Sequence, residues 1–317
     1  MSERRAAPTV GQVVLGKRLK DLREAKGLSR EQAAGELRVT AATVRRMETA
    51  EVALKVPYVH ILLPLYGAST EETDAFLSLV EDANRPGWWQ RYHDVLPEWF
   101  SLYVSLEAEA RLIRSYEPHF VPGILQTDRY AREVMTAGTI GHSHPEEVER
   151  HVALRLDRQQ LLAKPEAPHL WIIMDETVLR RPVASAEVMA EQMDRLVTAA
   201  HAPRLTLQVA EFAEGPHPGT YGPFSLFRFT QPELPDMVYC EFLTGALYLD
   251  SPIEVANHLE VLDHMSAQAA STDRTREILR DARDHYRSLV KDEDAFPVEA
   301  LGAAERCEAG AARHHPG

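Results

Sequence analysis

The sequence predicts an α+β protein with an N-terminal all-α module of about five helices over residues 1–84 and a larger mixed domain over residues 85–290. The mixed domain is expected to hold a mostly antiparallel sheet with several helices, and residues 291–317, rich in Ala, Glu, Gly and Pro, a disordered tail. Three observations predict this division. Polar caps followed by apolar residues at helical spacing recur through the first 84 residues. Five short β-rich segments crowd into residues 169–251, without the regular strand and helix alternation of a doubly wound sheet. Charge divides the same way: residues 1–60 hold 12 Lys and Arg against 7 Asp and Glu, so the rest of the 317-residue chain carries its whole net charge of -13 and five negative charges more. A cationic module on an anionic body is the pattern expected when only one part meets phosphate.

The N-terminal elements follow in order. In VVLGKRLKDLREAKGLS, Leu15, Leu19 and Leu22 share one helical face, Lys17, Arg18, Lys20 and Arg23 occupy the others, and Gly27 stops the helix. Ser29 with Gln32 makes a capping box, each side chain satisfying the other residue's backbone N–H, so a second short helix runs through Leu37. A turn at Arg38 and Val39 leads to Thr40, which caps a third helix reaching about Thr49 with Val44 and Met47 inward. Residues 57–66 make a fourth helix packed on this trio, and STEETDAFLSLVEDA a capped fifth.

At about 100° per residue, Ala42, Arg45, Arg46 and Thr49 fall opposite Val44 and Met47 on the third helix, with Thr43 at the margin. Two short helices joined by a tight turn, the second presenting arginines, can set a helix into the major groove. An ordinary helix hairpin with a solvated basic face is the alternative. The stretch LSREQAAGELRVTAATVRRME resembles the Cro/repressor (Xre-type) helix-turn-helix family, and the likeness covers residues 13–66. Ser29 and Gln32 at the cap, Ala34 at the helix crossing, Val44 ten residues later, and Arg46, Met47 and Glu48 at the close carry it. The resemblance implies double-stranded operator DNA as partner.

Candidate base contacts are Ala41, Ala42, Thr43, Arg45 and Arg46. The alanines lack donors and acceptors and offer only methyl packing, so hydrogen-bonded reading falls to Thr43, Arg45 and Arg46, or to DNA shape. Lys17, Arg18, Lys20, Arg30 and Thr49 are candidates for phosphate, which helix starts and flanks reach first. Two departures from the family stand out. Arg38 and Ala50 occupy positions where it usually has glycine, and a left-handed backbone there costs a residue with a Cβ about 1 kcal/mol or more.

Residues 84–87, Asn-Arg-Pro-Gly, break the fifth helix and open an aromatic stretch of Trp88, Trp89, Tyr92, Trp99, Phe100 and Tyr103. Such residues bury large areas, and they either join the two modules or line a ligand or partner surface. A helix is expected through residues 104–115, then a turn at Pro122 and Gly123, and a helix capped at Thr127 and Asp128. Val148, Val152 and Leu156 mark another helix to about Leu162, and Met189, Met193, Leu196 and Ala200 a further one. HLWIIMDE, RLTLQVAE, FSLFRFT, MVYCEF and ALYLDS read as strands, and IEVANHLEVLDHMSAQA and DRTREILRDARDHYRSLV as closing helices.

VPGILQTDRYAR, RQQLL, WIIMDETVLRRPV, GPHPGTYGPFSLFRF and VYCEF occur in an order similar to the C-terminal domain of a class of actinobacterial regulators, the WhiJ-type and Scr-type antitoxin-like transcription factors. This likeness spans about residues 88–285. It implies a DNA-binding regulator that works with a small acidic partner protein, and it carries no catalytic residues with it. Dimerisation is expected on other grounds, because one such motif reads only a few base pairs and two half-sites supply the missing affinity.

Asp175, Glu176, Glu211 and Glu241 close predicted strands, and clustered carboxylates can hold Mg²⁺ or share acid and base work, which makes a metal-dependent enzyme the third reading, after a DNA-binding regulator and an antitoxin-like interaction module with secondary DNA binding. No lysine or histidine motif accompanies them, so no enzymatic activity, cofactor or metal is expected. His142, His144 and His151 fit no common metal spacing. The loop at residues 215–219 is rigid, and His217 and Tyr221 beside it are candidates for a ligand or partner surface, as are Trp88 and Trp89. No signal-like leader and no apolar run near the ~20 residues of a membrane helix is visible, and Cys240 and Cys307 make no disulfide framework, so a cytoplasmic protein is expected.

Overall fold

The computed structural model describes residues 8–85, 87–138, 144–230 and 234–295. The N-terminal helices are α1 (Val10–Ala25), α2 (Arg30–Leu37), α3 (Ala41–Glu48), α4 (Val56–Leu65) and α5 (Thr70–Ala83). Capping boxes start three of them: Thr9 with Gln12, Ser29 with Gln32, and Ser69 with Glu72. Leu15, Leu19, Ala34, Leu37, Val44, Met47, Val59, Leu62, Phe76 and Val80 meet in one buried cluster, each from the apolar stripe of its helix.

A mixed domain of helices and a six-stranded sheet follows. Its elements are α6 (Glu98–Glu109), β1 (Leu112–Glu117), α7 (Asp128–Gly138), α8 (Pro145–Gln159), β2 (His169–Asp175), α9 (Thr177–Arg180), α10 (Ala186–Ala199) and β3 (Leu205–Ala210). Then come β4 (Phe224–Arg228), β5 (Met237–Phe242), β6 (Gly245–Leu249), α11 (Pro252–Gln268) and α12 (Thr272–Ala295). The strand order is β3-β2-β1-β4-β5-β6. β1 with β2 and β2 with β3 are parallel, while the other three pairings are antiparallel, so the mostly antiparallel sheet predicted from the sequence is found. Helical crossovers join the parallel strands, and short connections join β4 to β5 and β5 to β6.

The five predicted strands are β2 to β6. β1 is a correction, since the sequence reading runs a helix through residues 104–115. The helix ends at Glu109, and residues 112–117 form the central strand between β2 and β4. LIRSYE gives no period-2 signal because both faces of β1 are covered: Ile113 and Tyr116 belong to different apolar clusters. Arg114 is buried there because its guanidinium bonds Asp263 at 2.6 Å and Ser266 at 3.1 Å and lies 4.5 Å from the centre of the Trp171 ring.

One sheet face packs under α6, α7, α10 and α12 through Ile113, Leu170, Ile172, Met174, Leu207, Val209 and Phe227, and the other under α11 through Tyr116, Ile173, Leu226 and Val238. α12 extends to Ala295, so residues 291–295 are helical where the sequence reading begins its tail, while residues 296–317, Cys307 included, lie outside the described residues.

α1 also joins the two parts. Val10 and Val14 enter the core of the mixed domain, the Val10 amide donates to Ser105 Oγ at 2.8 Å, and Lys17 Nζ meets Asp250 at 2.5 Å.

Candidate nucleic-acid interface

α2 and α3 each begin at a side-chain cap. Ser29 Oγ accepts from the Gln32 amide at 3.2 Å and Gln32 Oε1 from the Ser29 amide at 2.8 Å, while Thr40 Oγ1 accepts from the Thr43 amide at 3.3 Å. Between them Arg38 turns the chain at φ 53°, and beyond α3 Ala50 does so at φ 55°; among the described residues these are the two without a glycine's freedom that adopt positive φ. They are the two positions at which the family usually has glycine.

The inner face of α3 is locked by packing and by charge. Val44 and Met47 are buried. Gly16 of α1 lies so close that a Cβ there would stand 2.7 Å from the Met47 carbonyl oxygen and 2.9 Å from that of Glu48. Glu48 itself is buried, and Arg23 reaches it through Nε at 2.5 Å and Nη2 at 3.1 Å, with Arg30 Nε at 2.8 Å. The hydrogen bonds and charge of Glu48 raise the Arg23 pKa against its burial. Arg23 Nη1 also donates to the Leu28 carbonyl at 2.7 Å, which ties α1 to the entry of α2. Beside this group burial pushes the Tyr66 phenol up to about 12.

The outer face carries the candidate readers. Ala42, Arg45 and Thr49 are exposed, and Ala41, Thr43 and Arg46 are half-buried. Arg45 forms a two-bond ion pair with Glu51, Nη1 to Oε1 at 2.5 Å and Nη2 to Oε2 at 3.0 Å. Thr49 Oγ1 lies 3.0 Å from both Glu51 Oε1 and the Arg45 carbonyl. Arg45 first and Thr49 next hold the Glu51 carboxyl below its ordinary range. Arg46 Nη2 reaches Thr43 Oγ1 at 3.4 Å, and its Nε is buried without a partner.

Of the residues expected at phosphate, Lys17 is exposed and paired with Asp250, Lys20 is half-buried, and Arg18 is half-buried with its guanidinium 5.9 Å from the centre of the Phe76 ring. Arg30 shares the buried carboxylate of Glu48. Glu48 and Glu51, which complete this arrangement, are absent from the candidate sites read from the sequence.

The candidate partner surface does not come together as one patch. Trp88 and Trp89 meet edge to face at 6.1 Å, and Trp89 packs with Tyr92, Leu96, Val104 and Leu154. His217 instead lies against the Tyr116 ring at 5.3 Å, with Nε2 3.6 Å from Asp175, and Tyr221 is fully exposed.

Each strand-end carboxylate has a neighbour that accounts for it. Asp175 accepts from the Thr177 amide at 2.8 Å and the Tyr116 hydroxyl at 3.1 Å, and Glu176 from the Phe212 amide at 2.9 Å and Arg180 at 3.0 Å. Glu211 pairs with Arg274 at 3.2 Å, and Glu241 accepts from the Tyr239 hydroxyl at 2.7 Å. Among the described residues no group of three or more His, Cys, Asp or Glu is placed to hold a metal ion. His142 lies outside the described residues, His144 is exposed, and burial lowers the pKa of His151. No helix among the described residues is long and apolar enough to cross a membrane.

Two family models match the chain. Residues 14–76 match a helix-turn-helix domain, and residues 100–281, more than half of the chain, match a domain of unknown function, DUF5753. No curated protein and no solved structure matches it.

Proposed function

The chain belongs to the DUF5753 family and carries a helix-turn-helix domain ahead of the family region, and from this premise we propose that it is a sequence-specific transcriptional regulator that reads operator DNA as a two-fold dimer. The observation that carries the reading is the α3 surface, where exposed Arg45 presents both terminal nitrogens as one fork while Val44 and Met47 anchor the helix from behind. In isolation those nitrogens face the Glu51 carboxylate. A guanine offers O6 and N7 in the same two-acceptor arrangement, so base recognition exchanges one fork for another. Glu51 thereby sets a threshold: a single phosphate oxygen replaces the carboxylate poorly, and a correctly spaced guanine replaces it well. Thr43 and the outer part of Arg46 read beside it, Ala41 and Ala42 offer methyl contact, and Lys17, Arg18, Lys20, Arg30 and Thr49 meet the backbone.

The DUF5753 region then serves dimerisation and the sensing of a small acidic partner protein, in the manner of the WhiJ-like and Scr-type regulators. Selection of duplexes from a random library with the full-length protein tests the reading. The expected product is a motif repeated with two-fold symmetry about one helical turn apart, roughly 10 bp. A library that shows no enrichment contradicts it.

One observation favours a second reading, an antitoxin-like interaction module whose DNA binding is secondary. Phe242, Leu243 and Leu247 stand exposed on and beside the edge strand β6, Leu243 at 86%. The two assays together separate the readings: a module of this kind brings down a stoichiometric partner from the native host while selecting duplexes only weakly, whereas a regulator enriches its motif.

A further inference from the structure

The two edges of the sheet are finished differently. At β3 the turn between α11 and α12 closes the edge: the Val209 amide donates to Thr275 Oγ1 at 3.2 Å, and the Val209 carbonyl accepts from the Ala270 amide at 2.9 Å. β6 pairs with β5 and, among the described residues, has no strand on its other side. The two-residue turn at Leu243 and Thr244 sets Gly245 opposite Phe242 and Leu247 opposite Cys240. By the antiparallel alternation Gly245 and Leu247 therefore bond β5, while Ala246 and Tyr248 turn their N–H and C=O to the open side. Sheet edges are commonly guarded by a charge or a proline, and GALYL has neither. Cys240 and Leu249 pack in the cluster beneath α11, and Phe242 and Leu247 alternate onto that same face of the sheet. Phe242, Leu243, Leu247 and Ile253, the last in the first turn of α11, are 50, 86, 54 and 74% exposed. At roughly 200 Å² for a fully exposed large apolar residue, this is about 500 Å² per copy and about 1,000 Å² for two copies, where specific interfaces begin.

We propose that this edge pairs with the same edge of a second copy of the chain, β6 antiparallel to β6 about a two-fold axis at Leu247, joining two six-stranded sheets into one. Charge selects the occupant. The chain beyond residue 60 is strongly anionic, so two copies meet best where neither presents a charge, and an uncharged strand set against itself opposes none. Symmetry fits as well. Pairing about Leu247 lets Ala246 bond the partner's Tyr248 and Tyr248 the partner's Ala246, and it brings the two Leu247 side chains together as a close, non-hydrogen-bonded pair. Asp250, the residue after β6 and its neighbour Leu249, holds Lys17 of α1 at 2.5 Å, so an axis at this edge sets the two α1 helices, one from each copy, to either side of it. The proposal rests on the two-fold reading above and gives its dimer a location.

Analytical ultracentrifugation of the full-length protein tests it. The wild type should show a monomer and dimer in equilibrium with a Kd in the micromolar range, as befits a small interface. Leu247→Lys, at an exposed side chain, sets like charges across the axis and should weaken the dimer at least tenfold. Phe212→Lys, on a comparably exposed residue just after β3 at the other edge, should leave it unchanged. Leu247→Glu alone should behave as Leu247→Lys does. An equimolar mixture of the two variants should recover a heterodimer about as tight as the wild-type dimer, which misfolded chains cannot give. A dimer that Leu247→Lys leaves intact, or a mixture that stays monomeric, overturns the edge and leaves the two-fold reading standing. So does a different protein from the native host that occupies the wild-type edge in place of a second copy and is lost with Leu247→Lys. A wild type that is monomeric both free and on the selected duplex removes the two-fold reading and the edge together.

Discussion

Arg45 and Glu51 close a two-bond ion pair across the end of the recognition helix, at 2.5 and 3.0 Å, so the chief candidate base reader is engaged within the chain before it meets DNA. Glu51→Gln keeps the shape and removes the charge. The expected result is a three- to tenfold gain in affinity for random-sequence duplex with a smaller gain on the selected site, hence a lower specificity ratio. Fluorescence anisotropy on both duplexes at one fixed salt concentration checks it.

Lys17, proposed to meet the DNA backbone, is held by Asp250 of the mixed domain. Asp250→Asn should release it from its 2.5 Å pairing, raise non-specific affinity about two- to threefold and steepen the dependence of log affinity on log salt by about one. Titrations at four salt concentrations measure the slope. An unchanged slope removes Lys17 from the phosphate contacts.

Arg38 and Ala50, at φ 53° and 55°, test the cost of replacing glycine at left-handed positions. Arg38 is exposed, so Arg38→Gly should stabilise by about 0.5–1 kcal/mol, the relieved strain outweighing the added freedom of the unfolded chain. Ala50 is buried and loses packing with its methyl group, so Ala50→Gly should fall near zero. Urea unfolding of both variants distinguishes the two outcomes.

Glu117, at the end of β1, has its pKa pushed up to about 8 by burial and by the nearby Glu241. A carboxyl raised in the folded state takes up a proton on folding between its ordinary value, near 4.5, and 8. Stability should therefore fall as pH rises through that window and level off above it. Glu117→Gln should flatten the curve, with a gain of about 2 kcal/mol at pH 8.5 and little at pH 4. Thermal unfolding from pH 4 to 9 measures both.

Local chemistry was the legible part. The box at Ser29 and the caps at Thr40 and Ser69 depend on residues three apart and could be read along the chain, while the left-handed turns at Arg38 and Ala50 were implied by the resemblance to a family that usually has glycine there. What escaped depends on distant segments. β1 became a strand because β2 and β4 flank it and because Asp263, far along the chain on α11, neutralises Arg114. Arg30 looked like a phosphate contact, yet Glu48 from the next helix takes one edge of it, and Arg45 looked open until the turn after α3 brought Glu51 back beside it. Of the carboxylates that suggested a metal site, Asp175 and Glu176 find partners two and four residues on, at Thr177 and Arg180, whereas the Arg274 that meets Glu211 comes from α12 and could not be read from spacing.

The central claim is that the outer face of α3 reads DNA. Its most direct test is the affinity of the Arg45→Ala, Arg46→Ala double variant for the selected duplex, with circular dichroism to verify the fold. The expected result is a loss of at least tenfold, consistent with ~1–3 kcal/mol for each base-reading fork, and an unaltered helical spectrum. Wild-type affinity in a folded double variant contradicts it.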